Sequence, residues 1–236
     1  MRLAAALLCA ASIAPAAAQE RTRHALGEFE YAQALNDILI TAPHGTFDAN
    51  TAQIAIRAAR ELGAGYLVAW RFGTPDKVRI NVNRPTEGAH LACSQEPQTE
   101  RAREVYDIYS ALVAKATPDG MRLYVEIHGN SNPKTAQTLE VATVGVTAAQ
   151  AQAIKDGYAA LLAQARGRVR AFPELTLLIE PVDRIYWGAA CAKRFGVFGK
   201  QPGLHFEFPR DARDGHTVAG SAMLVAGIVR RLLETP

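Results

Sequence analysis

Apolar positions along this chain recur at two spacings. Short, near-continuous apolar runs at 38–42, 66–72, 78–82, 123–127, 139–144, 176–179 and 204–208 predict strands. Stretches with apolar positions three and four apart predict helices over 50–62, 100–116, 147–165 and 218–233. In the first helix Ile54, Ile56 and Ala59 face the core, Asp48 or Asn50 is the N-cap, and Gly63 stands just past the end; Thr147 caps the third helix. The turn "GTPD" between 66–72 and 78–82 reads as the corner of a hairpin. Strands alternating with helices predict an α/β fold: a single domain with a mostly parallel mixed sheet flanked by helices on both faces.

The first residues do not belong to that pattern. MRLAAALLCAASIAPAAAQE has a basic start at Arg2, an apolar core over 3–13, and Ala16, Ala17 and Ala18 as a small-residue cleavage site. This reads as an export signal over 1–18, cleaved after Ala18, with a mature domain over 19–236 in the periplasm or outside the cell. Leu8 before Cys9 disfavours lipid attachment at that cysteine. No later apolar run approaches the roughly 18 residues of a membrane span.

Cleavage removes one basic side chain, Arg2, and lowers the formal charge from +3 to +2. That balance gives no basic stripe for nucleic acid and no support for a membrane-surface partner. Cys93 and Cys191 remain as an even pair, most simply a disulfide in an oxidising compartment, although spacing alone cannot establish the geometry. Zinc ligation by these two has less support, since neither belongs to a CxxC or CxH cluster.

In a largely parallel sheet, ligands bind at the carboxyl ends of strands. His44 follows the 38–42 run, Asn83 and Arg84 follow 78–82, His128 follows 123–127, and Glu207 lies near the end of the last strand. His44, Asp48 and His128 together supply the three ligands of a catalytic zinc, one ion with one position left open. Glu207 is then the carboxylate that takes a proton from the attacking water and returns it to the leaving group. Arg84, with Asn83 and Arg79, offers a fork for a substrate carboxylate. Glu126 and His205 share strand faces with His128 and Glu207 and are placed to orient them.

The motifs "HGTFD", "NVNR", "EIH" and "HFEF", in that order from His44 to Glu207, resemble the zinc-dependent amidohydrolases and carboxypeptidases. These include N-formylglutamate amidohydrolase, succinylglutamate desuccinylase, aspartoacylase and the metallocarboxypeptidases. The resemblance implies a zinc carboxypeptidase-like, phosphorylase/hydrolase-like fold and cleavage of an amide in an N-acyl amino acid or small peptide with a free carboxylate. It implies His44, His128 and Asp48 as zinc ligands, Asn83 and Arg84 as substrate-binding groups, and Glu207 as general base and acid. The chain departs from the pattern where HxxxD replaces HxxE, where Asn81 replaces an aspartate, and where Glu126 stands in place of the aspartate of DxH.

Plainer readings stand beside these. Asp48 alone is also a helix cap, His128-Gly129-Asn130 also a tight turn, Arg84 also a partner for Glu87, and Glu207 also a partner for Arg210 or Arg213. His24, His90 and His216 fit no motif, and "IYWG" at 185–188 reads as a loop anchor or a pocket wall. Arg57, Arg60, Arg101 and Arg103 read as a solvated helix face. A different class of function, a periplasmic carrier of a carboxylated ligand without catalysis, fits the same composition.

Overall fold

The computed structural model describes residues 18–89 and 91–236. The expected leader, apart from Ala18, and His90 lie outside these residues. The described elements are, in order, β1 (Gln19–His24), β2 (Gly27–Ala32), β3 (Ile38–Ala42), α1 (Thr51–Leu62), β4 (Gly65–Trp70), β5 (Ile80–Asn81), β6 (Thr86–Glu87), α2 (Glu100–Ala116), β7 (Leu123–Gly129), β8 (Thr138–Val144), α3 (Ala148–Arg168), β9 (Thr176–Ile179), α4 (Ala190–Phe195), β10 (Gly203–Phe208) and α5 (Val218–Glu234).

Eight strands form one mixed sheet in the order β1-β2-β4-β3-β7-β10-β8-β9. Its central pairings β4–β3, β3–β7 and β7–β10 are parallel, as is β8–β9; β1–β2, β2–β4 and β10–β8 are antiparallel. Helices cover both faces, as the alternation of elements predicts. On one face Ile40, Val125, Ile127 and Phe206 are buried with α1, α3 and α5. On the other, Phe29, Leu39, Leu67 and Tyr124 are buried with α2, through Val105, Tyr109 and Leu112. Alternation along each central strand sends neighbouring residues to opposite cores, which is why these strands read as nearly unbroken apolar runs.

Local signals set several helix ends. Thr147 caps α3 in a reciprocal capping box with Gln150, and Thr99 caps α2 by accepting from the Ala102 N–H. Gly63 ends α1 in the left-handed region, φ 64°.

Three local expectations are resolved by the structure. The first is the N-cap of α1: of the two candidates Asn50 occupies it, at φ 65° and without a side-chain cap bond, its amide donating instead to the Arg213 carbonyl at 2.6 Å, while Asp48 turns towards two histidines. The second is the hairpin. β4 is already paired on both edges, by β2 and β3, so β5 has no edge to join and pairs with β6; only an isolated Gly73–Arg79 bridge remains. The third is Ile56, which is only partly buried, whereas Ile54 and Ala59 are fully so.

Cys93 and Cys191 form a disulfide, with Cα atoms 5.1 Å apart. Together with a backbone bond from the Val197 N–H to the Asn83 carbonyl at 3.3 Å, it laces the loop before α2 to the loop around α4. Among the described residues no helix is long and apolar enough to cross a membrane.

Candidate metal centre

β3, β7 and β10 run parallel and side by side, so their carboxyl ends form one rim. Register pairs Thr41 with Glu126, Glu126 with His205, and His128 with Glu207. Partners in parallel register point to the same face. Glu126, His128, His205 and Glu207 therefore share the face that, one step earlier on the strands, carries Leu39 and Tyr124 into the α2 core.

His44 arrives from the loop after β3. The Asp48 N–H donates to the His44 carbonyl at 2.8 Å, a turn that brings both side chains to one side and suits the HxxxD spacing. Gly45 is required within it, because a Cβ would lie 2.8 Å from the Ala69 carbonyl oxygen and 3.0 Å from the Ala52 Cβ. His44 and His128 are both buried, at 5% and 4% exposure.

Three atoms converge there. His44 Nδ1 and His128 Nδ1 are 3.2 Å apart, and Asp48 Oδ2 is 3.5 Å from each. Charge-assisted hydrogen bonds from imidazole to carboxylate close to about 2.7–2.9 Å, shorter than either Asp48 contact. A tetrahedral zinc with ligands at about 2.0–2.1 Å holds neighbouring donor atoms about 3.3 Å apart. The triangle therefore has the size of a zinc ligand face, and its donor set, two imidazoles and a carboxylate, suits that ion.

A fully buried carboxylate lies behind the triangle. Glu126 Oε2 is 3.1 Å from His128 Nε2 and 2.9 Å from His205 Nδ1; its two oxygens also accept from the Asn83 amide at 3.0 and 3.1 Å and from the Tyr124 hydroxyl at 2.9 Å. With Glu126 accepting at Nε2, the His128 Nδ1 lone pair faces the triangle, the arrangement a ligating imidazole uses. Glu126, His128 and His205 also cluster closely enough to hold an ion. Their contacts are already satisfied as hydrogen bonds among buried groups, so this cluster is read as support for the first.

Charge follows this geometry. Burial and the nearby Arg79 push the His44 imidazole down to about 3, so it is neutral at pH 7. For His128, burial opposes the charge, but hydrogen bonds to Asp48 and Glu126 prevail and hold it up at about 9. Burial alone would raise the carboxyl groups of Asp48 and Glu126; their histidine partners outweigh it and hold both well below the usual range. Without a metal, a proton on His128 thus occupies this ring of acids.

Glu207 sits beside the triangle, opposite His128 in register. Its Oε1 is 3.4 Å from His205 Nε2, and its Oε2 is buried without a hydrogen-bond partner among the described residues. His205 stacks on His128, centroids 4.1 Å apart, and bridges Glu126 and Glu207. The alternative pairing of Glu207 with Arg210 or Arg213 is not formed among the described residues: Glu207 contacts His205, and the three Arg213 nitrogens donate to backbone carbonyls.

The arginines differ most from expectation. Arg84 is buried and its fork is taken internally: Nε and Nη2 donate to Glu96 at 2.8 and 2.6 Å, and Nη1 to Asn83 Oδ1 at 3.2 Å. Glu87, the other partner considered for Arg84, binds Arg101 instead, at 2.7 and 2.8 Å. Asn83 is fully buried, its amide spent on Glu126. Arg79 differs: only its Nε is engaged among the described residues, with Asn81 Oδ1 at 3.1 Å, and its charge acts on His44 and Asp48. Its Nη atoms have no hydrogen-bond partner among the described residues, and its charge reaches the triangle.

Sequence reasoning missed three residues. Glu96 satisfies Arg84, and no local spacing marks it. Glu140, opposite Glu207 on β8, accepts from the Tyr186 and Trp187 N–H groups at 2.9 and 2.7 Å and anchors their loop; burial pushes its carboxyl up. Tyr186 is 58% exposed, and Trp187 Nε1 donates to Thr135 at 3.3 Å. The third is Arg213, buried at 6% exposure. His24, one of the histidines outside the motifs, accepts from the Leu26 N–H at 3.1 Å and lies 3.6 Å from Glu104; His216 is exposed.

No protein-family model matches the chain, and no curated protein sequence does. Among solved structures it is similar to a bacteriophage poly-gamma-glutamate hydrolase, at 9% identity and a TM-score of 0.49, over 89% of this chain and 90% of that one. A gene product of Agrobacterium tumefaciens is similar at 16% identity and 0.47, over 85% and 90%. A metallo-carboxypeptidase from Burkholderia cenocepacia is similar at 15% and 0.44, over 89% of this chain but only 64% of that one. At these identities function rests on the side chains themselves.

Proposed function

We propose that the chain is a metal-dependent hydrolase that holds one zinc ion on His44, Asp48 and His128 and cleaves an amide in an N-acyl amino acid or small peptide bearing a carboxylate. One observation carries the reading: three donor atoms from two separate strand ends meet at 3.2, 3.5 and 3.5 Å, the edges of a zinc ligand face. An ion there supplies Lewis acidity, polarising a carbonyl and bringing the pKa of water down to about 7.

The remaining work belongs to the chain's own groups. Glu126 keeps His128 in one orientation. The unpartnered Oε2 of Glu207 is the base positioned for a proton from the attacking water, which it then hands to the leaving nitrogen. Arg79 takes the substrate carboxylate that sequence reasoning assigned mainly to Arg84, because its fork is uncommitted and Arg84 is held by Glu96. The loop bearing Tyr186 and Trp187 walls the same face beyond Glu207.

Zinc titration into metal-free protein, followed by a substrate screen with zinc supplied, tests this. One equivalent is expected to bind. Because His44 is already neutral and His128 holds its proton up to about 9, binding at pH 7 should release about one proton from His128 in addition to any from a bound water, and affinity should increase about tenfold for each unit by which pH is raised towards 9. Calorimetry in buffers of different ionisation enthalpy counts the proton. N-acyl amino acids with a free carboxylate should be cleaved and their amides or esters spared. Absence of zinc binding overturns the metal site; binding without hydrolysis favours a carrier; equal cleavage of the amides removes Arg79 from recognition.

Export belongs to the same proposal. The Cys93–Cys191 disulfide and the leader-like 1–18 segment support an oxidising compartment. N-terminal sequencing of the protein recovered from its producing cell should begin at Gln19; a start at Met1 overturns this.

A further inference from the structure

We infer that Arg213 is the positioning residue that holds the rims of β3, β7 and β10 in register, and so sets the geometry of the proposed metal centre. The inference rests on the metal-site reading above. Arg213 lies in the short turn after β10 (Arg210–Arg213), and its guanidinium is directed inwards. Nε donates to the Phe208 carbonyl at 3.1 Å, Nη1 to Ala49 at 2.8 Å, and Nη2 to Asn130 at 3.1 Å. Phe208 follows Glu207, Ala49 follows Asp48, and Asn130 lies two residues after His128. One planar fork thus joins the end of β10, the loop after β3 and the loop after β7, and each of these adjoins a different part of the site.

Two further features show that the fold is shaped around this group. Gly129 leaves space for it: a Cβ there would lie 2.1 Å from Arg213 Nε and 2.3 Å from Cζ, and no small shift relieves that. The Arg213 carbonyl accepts from the Asn50 amide at 2.6 Å, so the clamp closes on the Asp48 loop from both main chain and side chain. Among the described residues no carboxylate is bound to the guanidinium, and its charge acts instead on Asp48 and Glu207 across the site. A buried charge satisfied only by main-chain carbonyls is costly as a stabilising device. A five-donor planar fork is, however, suited to fixing several oxygens at once.

The test uses Arg213→Lys, which keeps the charge and loses the fork, and Gly129→Ala, which keeps the arginine and displaces it. Zinc affinity is measured by chelator competition, and the visible absorption of the cobalt(II)-loaded protein reports ligand geometry. Both variants should remain folded by circular dichroism, bind zinc about 10–100-fold more weakly, and show a cobalt(II) spectrum altered in intensity or position. Loss of packing alone would lower the melting temperature without changing the spectrum of the bound ion. Wild-type affinity and spectrum in both variants overturn the role of Arg213. Failure of the wild-type chain itself to bind zinc overturns the metal-site reading instead. Should Arg213→Lys not fold, Gly129→Ala decides alone.

Discussion

Glu207→Gln is expected to bind zinc as the wild type does and to hydrolyse its substrate about 10²–10⁴-fold more slowly. The amide has the shape of the carboxylate, and its oxygen can still accept from His205 Nε2, so the rim of β10 has no reason to move. What is lost is an oxygen able to take a proton. Glu207 Oε2 is buried beside the triangle without a partner, an expensive state for a structural carboxylate and a useful one for a base awaiting water. The loss corresponds to about 2.7–5.5 kcal/mol of transition-state stabilisation. It should fall on kcat, with KM little changed, if the substrate carboxylate is bound by Arg79 as proposed. Steady-state kinetics with metal analysis of the same sample decides: undiminished kcat removes Glu207 from the chemistry, and loss of zinc would make it a ligand.

The site was legible as positions more than as partnerships. His44, His128 and Glu207 each stand where an apolar run ends, and strand ends of a parallel sheet converge whatever the loops do, so their meeting follows from topology. Asp48 was legible as a candidate because it shares a short loop with His44. The engagement of Arg84 was not legible because its partner, Glu96, lies twelve residues away in a loop without periodicity, and "NR" looks the same whether the fork is free or occupied. The sequence offers Arg213 only as a partner for Glu207, and nothing in it marks a clamp on main-chain carbonyls. In "PRDARDGH" nothing distinguishes an arginine turned inwards from Arg210, which stays exposed.

The fold divides along the same line. α2 and β9 were read with their observed bounds, because a helix with 3.6-residue periodicity and a buried apolar run declare themselves locally. β1 and β2 were not read. There the apolar residues are sparse, Phe29 and Tyr31 alternating with Glu28 and Glu30, and the strands gain their place through pairing, β2 with β4 and β1 with β2. The expected hairpin shows the converse: a sound turn signal at "GTPD" lost to a sheet whose edges at β4 were already filled.

Glu126→Gln should then be the most disruptive single change at the site, because it alters a partnership on which the positions depend. Glu126 is fully buried and receives hydrogen bonds from Asn83 and Tyr124 on one side and faces both His128 and His205 on the other. A glutamine must direct its NH2 towards one of these sets, and each already presents donors. If it faces the histidines, His128 can relieve the conflict only by moving its proton to Nδ1, which closes the lone pair the ion needs. Breaking a buried charge network costs about 3–5 kcal/mol, a fall of about 6–20 °C in melting temperature for a chain of this size. Zinc affinity should drop about 10–100-fold as His128 loses its orienting acceptor. The sign of the pH dependence provides an internal check. The folded-state pKa of Glu126 is depressed, so its stabilisation is fully present above the usual 4.5 and is lost as pH falls below it. The stability gap between wild type and variant should therefore be widest near neutrality and narrow on acidification. Thermal unfolding of the metal-free proteins across that range measures it, and a gap that is absent at pH 7, or that widens in acid, would show that Glu126 is not the charged hub of this site.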